Sequence, residues 1–332
     1  MDQSTFAGKL PAPGSRTILR CGGDGGEPGF EVMAVNGASP GPVLLVSGGV
    51  HGDEYEGPAA IQEIYQRLDP RVLRGCWLGA PVVNEAAMRA GQRVSPIDGL
   101  DLARVFPGDP AGAGTERLAW AFGQTLMKLA THYIDLHSGG TAMRIVSLAG
   151  YKTIANSAVV DEQRRMAIAF GADLVWGTPP LLRPTLWQAE QFGIPAIYAE
   201  TGGTGAWSEE ARGYRNGVES VMRAIGMMEG SYPASPCRYF REAPPGQALE
   251  GYLQVDHPAP GSGLFAPECD LWDEVAEGQV IGRILDFAGT CIAAIPARRT
   301  GHLVLLRRPS FVKEQDPLAV VVEGLSSVPR PT

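Results

Sequence analysis

The chain has 332 residues, of which 44% are hydrophobic, 8% aromatic and 19% charged, with a formal net charge of −8. That size predicts two compact units, and the balance is that of a globular protein rather than a disordered one. The acidic charge is spread along the chain without a basic run, so nucleic acid and anionic membrane surfaces are excluded as expected partners. In chain order, residues 1–40 are rich in Gly and Pro, which predicts an extended segment with a tight turn at the glycines of 22–26. Phe30 to Val35 reads as a strand at a sheet edge. Pro42-Val43-Leu44-Leu45-Val46 is short, apolar and bounded by turn residues, so it reads as a buried strand. Gly48-Gly49-Val50-His51-Gly52-Asp53-Glu54 then turns the chain. Ile61, Ile64, Tyr65 and Leu68 recur beyond it at helical spacing.

Cys76 to Asn84 predicts a second strand, with Asn84 at its end. Residues 85–114 have no sustained period, and a loop of that length inside a compact unit is usually functional. Helical spacing returns at Leu118, Phe122, Leu126 and Leu129. Tyr133 to His137 is a strand running into Ser138-Gly139-Gly140. A helix from Asp161 to Phe170 is closed by Gly171, and Leu174 to Trp176 forms a strand. Thr185-Leu186-Trp187-Gln188 has the form of a capping box, with Gly193 placed to end that helix. Ile194 to Ala199 is a strand that delivers Glu200, and a last helix runs from about Glu209 to Met228.

Strands alternating with helices predict an α/β unit, a mainly parallel mixed sheet with helices on both faces, over residues 1–230. Ser231 to Pro236 reads as a linker. Short strands such as Gly251 to Val255 and Gln279 to Ile284 then predict a small all-β barrel or sandwich over 231–332.

Cys21, Cys76, Cys237, Cys269 and Cys291 are odd in number and include no C-x-x-C pair. They predict neither a disulfide framework nor a thiolate-held metal. With no visible signal peptide and no apolar run of the roughly 18–20 residues that span a bilayer, the cytoplasm is the expected location. Any metal must then be held by histidine and carboxylate.

In a parallel sheet, ligands bind at the C-terminal strand ends, where groups distant in sequence converge. His51, Glu54, His137 and Glu200 all fall at such ends. Two histidines and a glutamate make the donor set of a catalytic zinc that keeps one position open. Glu200 is then placed to act as general base on water. Asp135 shares a strand face with His137 and is expected to orient a ligand histidine. Each residue alone has a plainer explanation, as an acidic turn, a buried histidine or a strand-end acid; their joint order favours the metal site.

These motifs, with Asn84 to Arg93 and Asp101-Leu102-Ala103-Arg104-Val105-Phe106-Pro107-Gly108, resemble the succinylglutamate desuccinylase/aspartoacylase family of the zinc carboxypeptidase superfamily. The resemblance covers nearly the whole chain. It implies hydrolysis of the amide of a small N-acyl amino acid or related N-acyl amine, with one zinc per chain. It implies that Arg93 stabilises the oxyanion, and that Arg104 and Asn84 meet the substrate. The family usually has D-L-N-R where this chain has Asp101-Leu102-Ala103-Arg104, so a polar handle is missing and specificity is expected to shift. N-acetyl-diaminobutyrate deacetylation, an activity within the family, is one case the resemblance allows. The C-terminal unit is expected to narrow the mouth of the site or to support a homo-oligomer, and the absence of a lysine at its hairpin argues against a carrier role. A metallocarboxypeptidase on short peptides and a non-catalytic metal-binding scaffold are the alternatives.

Overall fold

A computed structural model describes residues 8–23, 28–179, 185–203, 205, 208–232, 237–243 and 256–326. In chain order the first part runs β1 (Ser15–Gly22), β2 (Gly29–Asn36), β3 (Ser39–Ser47), α1 (Glu56–Arg67), β4 (Arg74–Ala80), α2 (Glu85–Ala90) and α3 (Gly114–Ala121). It continues with β5 (His132–Leu136), β6 (Met143–Ile145), β7 (Leu148–Lys152), α4 (Ser157–Phe170) and β8 (Leu174–Thr178). α5 (Thr185–Gln191), β9 (Ala196–Glu200), α6 (Glu209–Ala224) and β10 (Tyr239–Glu242) complete it.

Nine of these strands form one sheet in the order β1-β2-β4-β3-β5-β9-β7-β8-β10. The central run β4-β3-β5-β9 is parallel. The sheet is mixed because β2 meets β4 antiparallel, and β7 meets β9 antiparallel. Helices cover both faces, as expected. On one, Val46, Ile134 and Ile197 pack with Ile61 of α1, Phe170 of α4 and Val218 of α6. On the other, Leu45, Tyr133 and Ala196 pack with Leu118 of α3 and Leu186 of α5.

Several expectations shift. Residues 30–35 are not at the edge, because β1 pairs along their whole length. β4 stops at Ala80, and Asn84 instead caps α2 by accepting from the Ala87 amide at 3.2 Å. The 85–114 stretch holds α2 and a short 3-10 turn, Leu102–Arg104. Beyond α3 the helical run changes pitch through Phe122–Leu126 and Met127–Leu129. The Thr185 hydroxyl donates to Asp135 rather than serving as a helix cap. The 231–236 linker lies partly, and the 251–255 strand wholly, outside the described residues.

The C-terminal strands are β11 (His257–Pro258), β12 (Gly263–Pro267), β13 (Glu274–Val275), β14 (Val280–Leu285), β15 (Cys291–Pro296), β16 (Gly301–Arg307), β17 (Ser310–Val312) and β18 (Pro317–Val322). They form two antiparallel sheets, β11-β18-β16-β13 and β15-β14-β12-β17, around Phe265, Ile281, Leu303 and Leu318. Two links tie them to the large sheet's unit. β6 pairs with β16, and β10, beyond position 230, extends the nine-stranded sheet beside β8. His257, at the start of β11, is 2% exposed. All five cysteines are free, and no described helix is long and apolar enough to cross a membrane.

Candidate metal centre and active site

β3 delivers the chain into the turn that carries His51 and Glu54. Gly49 there adopts φ +57°, open to glycine at little cost. Gly52 lies so close to α2 that a Cβ would sit 1.9 Å from the Ala87 carbonyl carbon, so no other residue fits. The turn is thereby pressed against α2, and His51 and Glu54 are each 3% exposed. His137 follows β5 directly, its amide bonded to the Ala199 carbonyl at 2.8 Å.

His51 Nδ1 lies 2.7 Å from one Glu54 oxygen, and His137 Nδ1 lies 3.0 Å from the other. The potential donor atoms of all three residues fall within 4.8 Å of one another. On the far side of each ring, Nε2 also faces a carboxylate. His51 Nε2 is 3.2 Å from Asp101, and His137 Nε2 is 3.0 Å from Asp135. A neutral imidazole has one N–H, so it can satisfy only one of the two carboxylates it faces. Either both rings are protonated, or a cation takes the place of the Nδ1 protons. The donor set, two imidazole nitrogens and one carboxylate, suits a divalent metal with an open position. Burial alone would raise the Glu54 carboxyl, but the two histidine charges outweigh it and hold it far below the usual range. Burial likewise opposes charge on His137, yet Asp135 and Glu54 push its pKa well up.

The carboxylates behind the histidines are themselves held. Asp135 is fully buried and accepts from Ser47 Oγ at 2.6 Å and from the Thr185 hydroxyl; the Tyr133 hydroxyl is 2.6 Å from the same Ser47. Asp101 accepts from Arg93 Nε at 3.2 Å and from the Ala103 amide at 2.9 Å. Burial disfavours its charge, but the His51 bond and Arg93 hold its carboxyl well below the usual range. The Tyr214 hydroxyl donates to the His137 carbonyl, fixing that strand end from the α6 side.

Of the remaining expected residues, Arg93 reaches within 3.9 Å of Glu54. Glu200 ends β9 beside β5, and its Oε2 is buried without a hydrogen-bond partner. Burial pushes its pKa to about 8; His137 and Arg93 pull against this, while Glu54 and Asp135 add to it. Arg104 is within electrostatic reach of Glu200, although burial lowers its pKa. Asn84 follows the same turn, its amide donating to the Gly49 carbonyl at 2.9 Å. Its side chain caps α2 and lines a cavity of about 210 Å³ with Arg20, Arg89, Ser95 and Thr115. The support given by Asp101, Ser47 and Thr185 carries no local sequence signal.

A model of the succinylglutamate desuccinylase/aspartoacylase catalytic domain matches residues 40–225. The chain is 33% identical over 299 residues to the N-alpha-acetyl-L-2,4-diaminobutyric acid deacetylase of Halomonas elongata, spanning 87% of this chain and 84% of that protein. Its fold is similar to that of a succinylglutamate desuccinylase/aspartoacylase from Rhodobacter sphaeroides, with TM-score 0.82, 27% identity and 95% of both chains covered. It is also similar to the product-bound ectoine utilization protein EutE (DoeB) of Ruegeria pomeroyi, with TM-score 0.80, 25% identity, and 94% and 99% of the two chains covered.

Proposed function

The chain belongs to the succinylglutamate desuccinylase/aspartoacylase family, and from that premise we propose that it is a zinc-dependent deacylase that hydrolyses the amide of a small N-acyl amino acid. One observation carries this reading: two histidines face one carboxylate through Nδ1, with a partnerless carboxylate oxygen at the adjacent strand end. His51, Glu54 and His137 would hold one zinc. When bound, it supplies Lewis-acid polarisation of the acyl carbonyl and a lowered pKa for water.

The chain's own residues account for the rest. Glu200 takes a proton from the attacking water, whose oxygen bonds to the acyl carbon. As the C–N bond breaks, Glu200 returns that proton to the leaving nitrogen, giving a carboxylate and a free amine. Its free oxygen and its burial suit a group whose pKa is poised near neutrality, and any cation held by the triad would pull it lower. Arg93, oriented by Asp101, faces the charge that develops on the carbonyl oxygen. Arg104 receives the substrate's carboxylate. Asp135 and Asp101 keep the two histidine rings in the tautomer that turns Nδ1 inward.

We assign this catalytic work to residues 1–230 and a supporting role to 231–332, in a cytoplasmic protein. Support for that role comes from Arg308, whose Nη2 donates to the Gly202 and Gly203 carbonyls at 2.8 Å each, just after Glu200. The relative from Halomonas makes N-α-acetyl-L-2,4-diaminobutyrate the first substrate to assay.

Release of free amine from a panel of N-acetyl amino acids, run beside short peptides with free C-termini, tests the reading. Deacylation that is lost on chelation and restored by zinc is expected. Glu200→Gln should keep the metal and lose about 10²–10⁴-fold in kcat. Cleavage of C-terminal residues with no deacylation would replace this reading with a carboxypeptidase.

A further inference from the structure

The turn that carries His51 and Glu54 packs on one side of α2, and on the other side lies the cavity of about 210 Å³, which the reaction as described does not use. None of His51, Glu54, Arg93, Asp101, His137 or Glu200 lines it. Glu85, Ala86 and Arg89 of α2 do, whereas Ala87 and Met88 lie against Gly52 and Gly49 of the turn. At about 100° per residue, those two sets stand on opposite sides of the helix. α2 is tied to the turn at both ends. The Asn84 amide donates to the Gly49 carbonyl at 2.9 Å, and the Gly52 amide donates to the Gln92 carbonyl at 3.0 Å, just past the helix. Whatever settles α2 therefore settles the loop that presents His51 and Glu54.

The cavity presents charges of both signs. Arg20 Nη1 is 2.8 Å from one Glu85 oxygen, and Arg89 stands 3.9 Å from the other. Glu31 lies opposite Arg20 in the β1–β2 register, so the cations meet nearly their match in carboxylates. Arg20 and Glu85 are partly exposed and Arg89 largely so, which leaves each able to take a further partner. A ligand carboxylate suits the two guanidinium groups, and a ligand ammonium suits Glu85. Asn84, 2% exposed, gives its Oδ1 to the Ala87 amide, and its Nδ2 has no hydrogen-bond partner among the described residues. A buried donor without an acceptor is costly, and a ligand oxygen would relieve that cost. Leu118 and Pro28 add apolar wall for a side chain. An apolar cavity of about 150 Å³ takes up benzene, so this volume suits a ligand of amino-acid size.

We propose that this cavity binds a free amino acid, and that its occupancy acts through α2 to tighten the turn that holds the metal. The inference rests on the deacylase reading in one respect: that reading makes the amino acid the enzyme's own product. If the ligand binds better when the turn is ordered, it must raise zinc affinity by the same factor by which zinc raises its own. The rival is a solvent-filled gap beside a capped helix, which would take up no amino acid and leave the metal unaffected.

Zinc-loaded wild type, Arg20→Gln and Arg89→Gln are titrated with free L-2,4-diaminobutyrate by calorimetry. Release of zinc into an excess of chromogenic chelator is then timed for each, with and without that amino acid. Neither arginine belongs to the catalytic machinery, so zinc release and deacylation without added amino acid should match the wild type in both variants. The wild type should bind, and each variant should bind about 10-fold or more weakly. Saturating amino acid should slow zinc release about 5-fold or more in the wild type and leave the variants much less affected. Binding that both substitutions leave untouched places the amino acid elsewhere and overturns the proposal, as does no binding at all. Binding that the substitutions weaken, with zinc release unchanged in the wild type, overturns the coupling through α2. A wild type that passes both tests yet deacylates nothing would sink the deacylase reading and leave this site standing.

Discussion

Asp135→Asn is the substitution that tests how the metal centre is organised. Asp135 is fully buried, with Ser47 donating to Oδ1 while His137 Nε2, at 3.0 Å, and the Thr185 hydroxyl face Oδ2. An asparagine in the same pose puts an NH₂ where Oδ2 was. Thr185 can rotate its hydroxyl to accept, but His137 Nε2 can accept only by giving up its proton. That proton then moves to Nδ1, the atom that faces Glu54 and would ligate the metal. The flipped amide spares the tautomer but reverses the Tyr133–Ser47 hydrogen-bond chain. In both poses the negative charge that supports the ligating imidazole is gone. Removing such a supporting partner typically costs 10–100-fold in metal affinity, or about 1.4–2.7 kcal/mol. Zinc affinity measured by competition with a chromogenic chelator should fall within that range or below it, with kcat falling alongside. Asp101→Asn should do the same through His51 more weakly, since its contact is 3.2 Å and its side chain is 20% exposed. An Asp135→Asn protein that binds zinc within twofold of wild type would refute the argument.

Three further outcomes are expected. Gly52→Ala drives a methyl into the Ala87 backbone and should destabilise the fold by about 1–3 kcal/mol while weakening metal binding; an unchanged melting temperature would show that the turn can relax. Arg308→Ala removes two charge-assisted bonds to the Gly202 and Gly203 carbonyls, which should cost about 1.5–3 kcal/mol in denaturant titration and lower kcat by loosening Glu200's loop; full activity would confine the C-terminal unit to a role apart from the site. Lys152 carries a folded-state pKa of about 8 against 10.5 in a solvated chain. Between those values the unfolded chain binds more protons, so stability should rise with pH across that window, by up to about 3 kcal/mol, and Lys152→Met should lack the rise. Parallel stability–pH curves for wild type and variant would exclude that ionisation.

The ligand triad was legible in the sequence because strand-end chemistry is a local signal. An apolar run stops at glycine or at a polar residue, and the side chain that follows stands on the sheet's ligand-binding edge. His51, Glu54, His137 and Glu200 each obey that rule, and period-2 alternation sufficed to put Asp135 on the face of His137. Asn84 broke the rule. The apolar character of Pro81-Val82-Val83 runs past the true end of β4 at Ala80, and no pattern distinguishes a strand residue from an apolar turn residue. β6 and β7 were invisible for a different reason. They are three and five residues long and divided by a two-residue gap, and the reversed direction of β7 is imposed by its partner β9.

The same physics decides which functional residues a motif can supply. A ligand must lie where its own strand ends, so its position is fixed by a few neighbours in sequence. A residue that orients a ligand, or neutralises a substrate, needs only to reach it across space. Asp101 meets His51 from 50 residues away, and Thr185 meets Asp135 across another 50. Such partners can change while the ligands stay. Ala103 leaves the Asp101 contact to its own amide and to His51 intact, so the metal centre is indifferent to it. Differences in substrate among members of this family should therefore map to residues like these, far from the ligands in sequence and outside every motif.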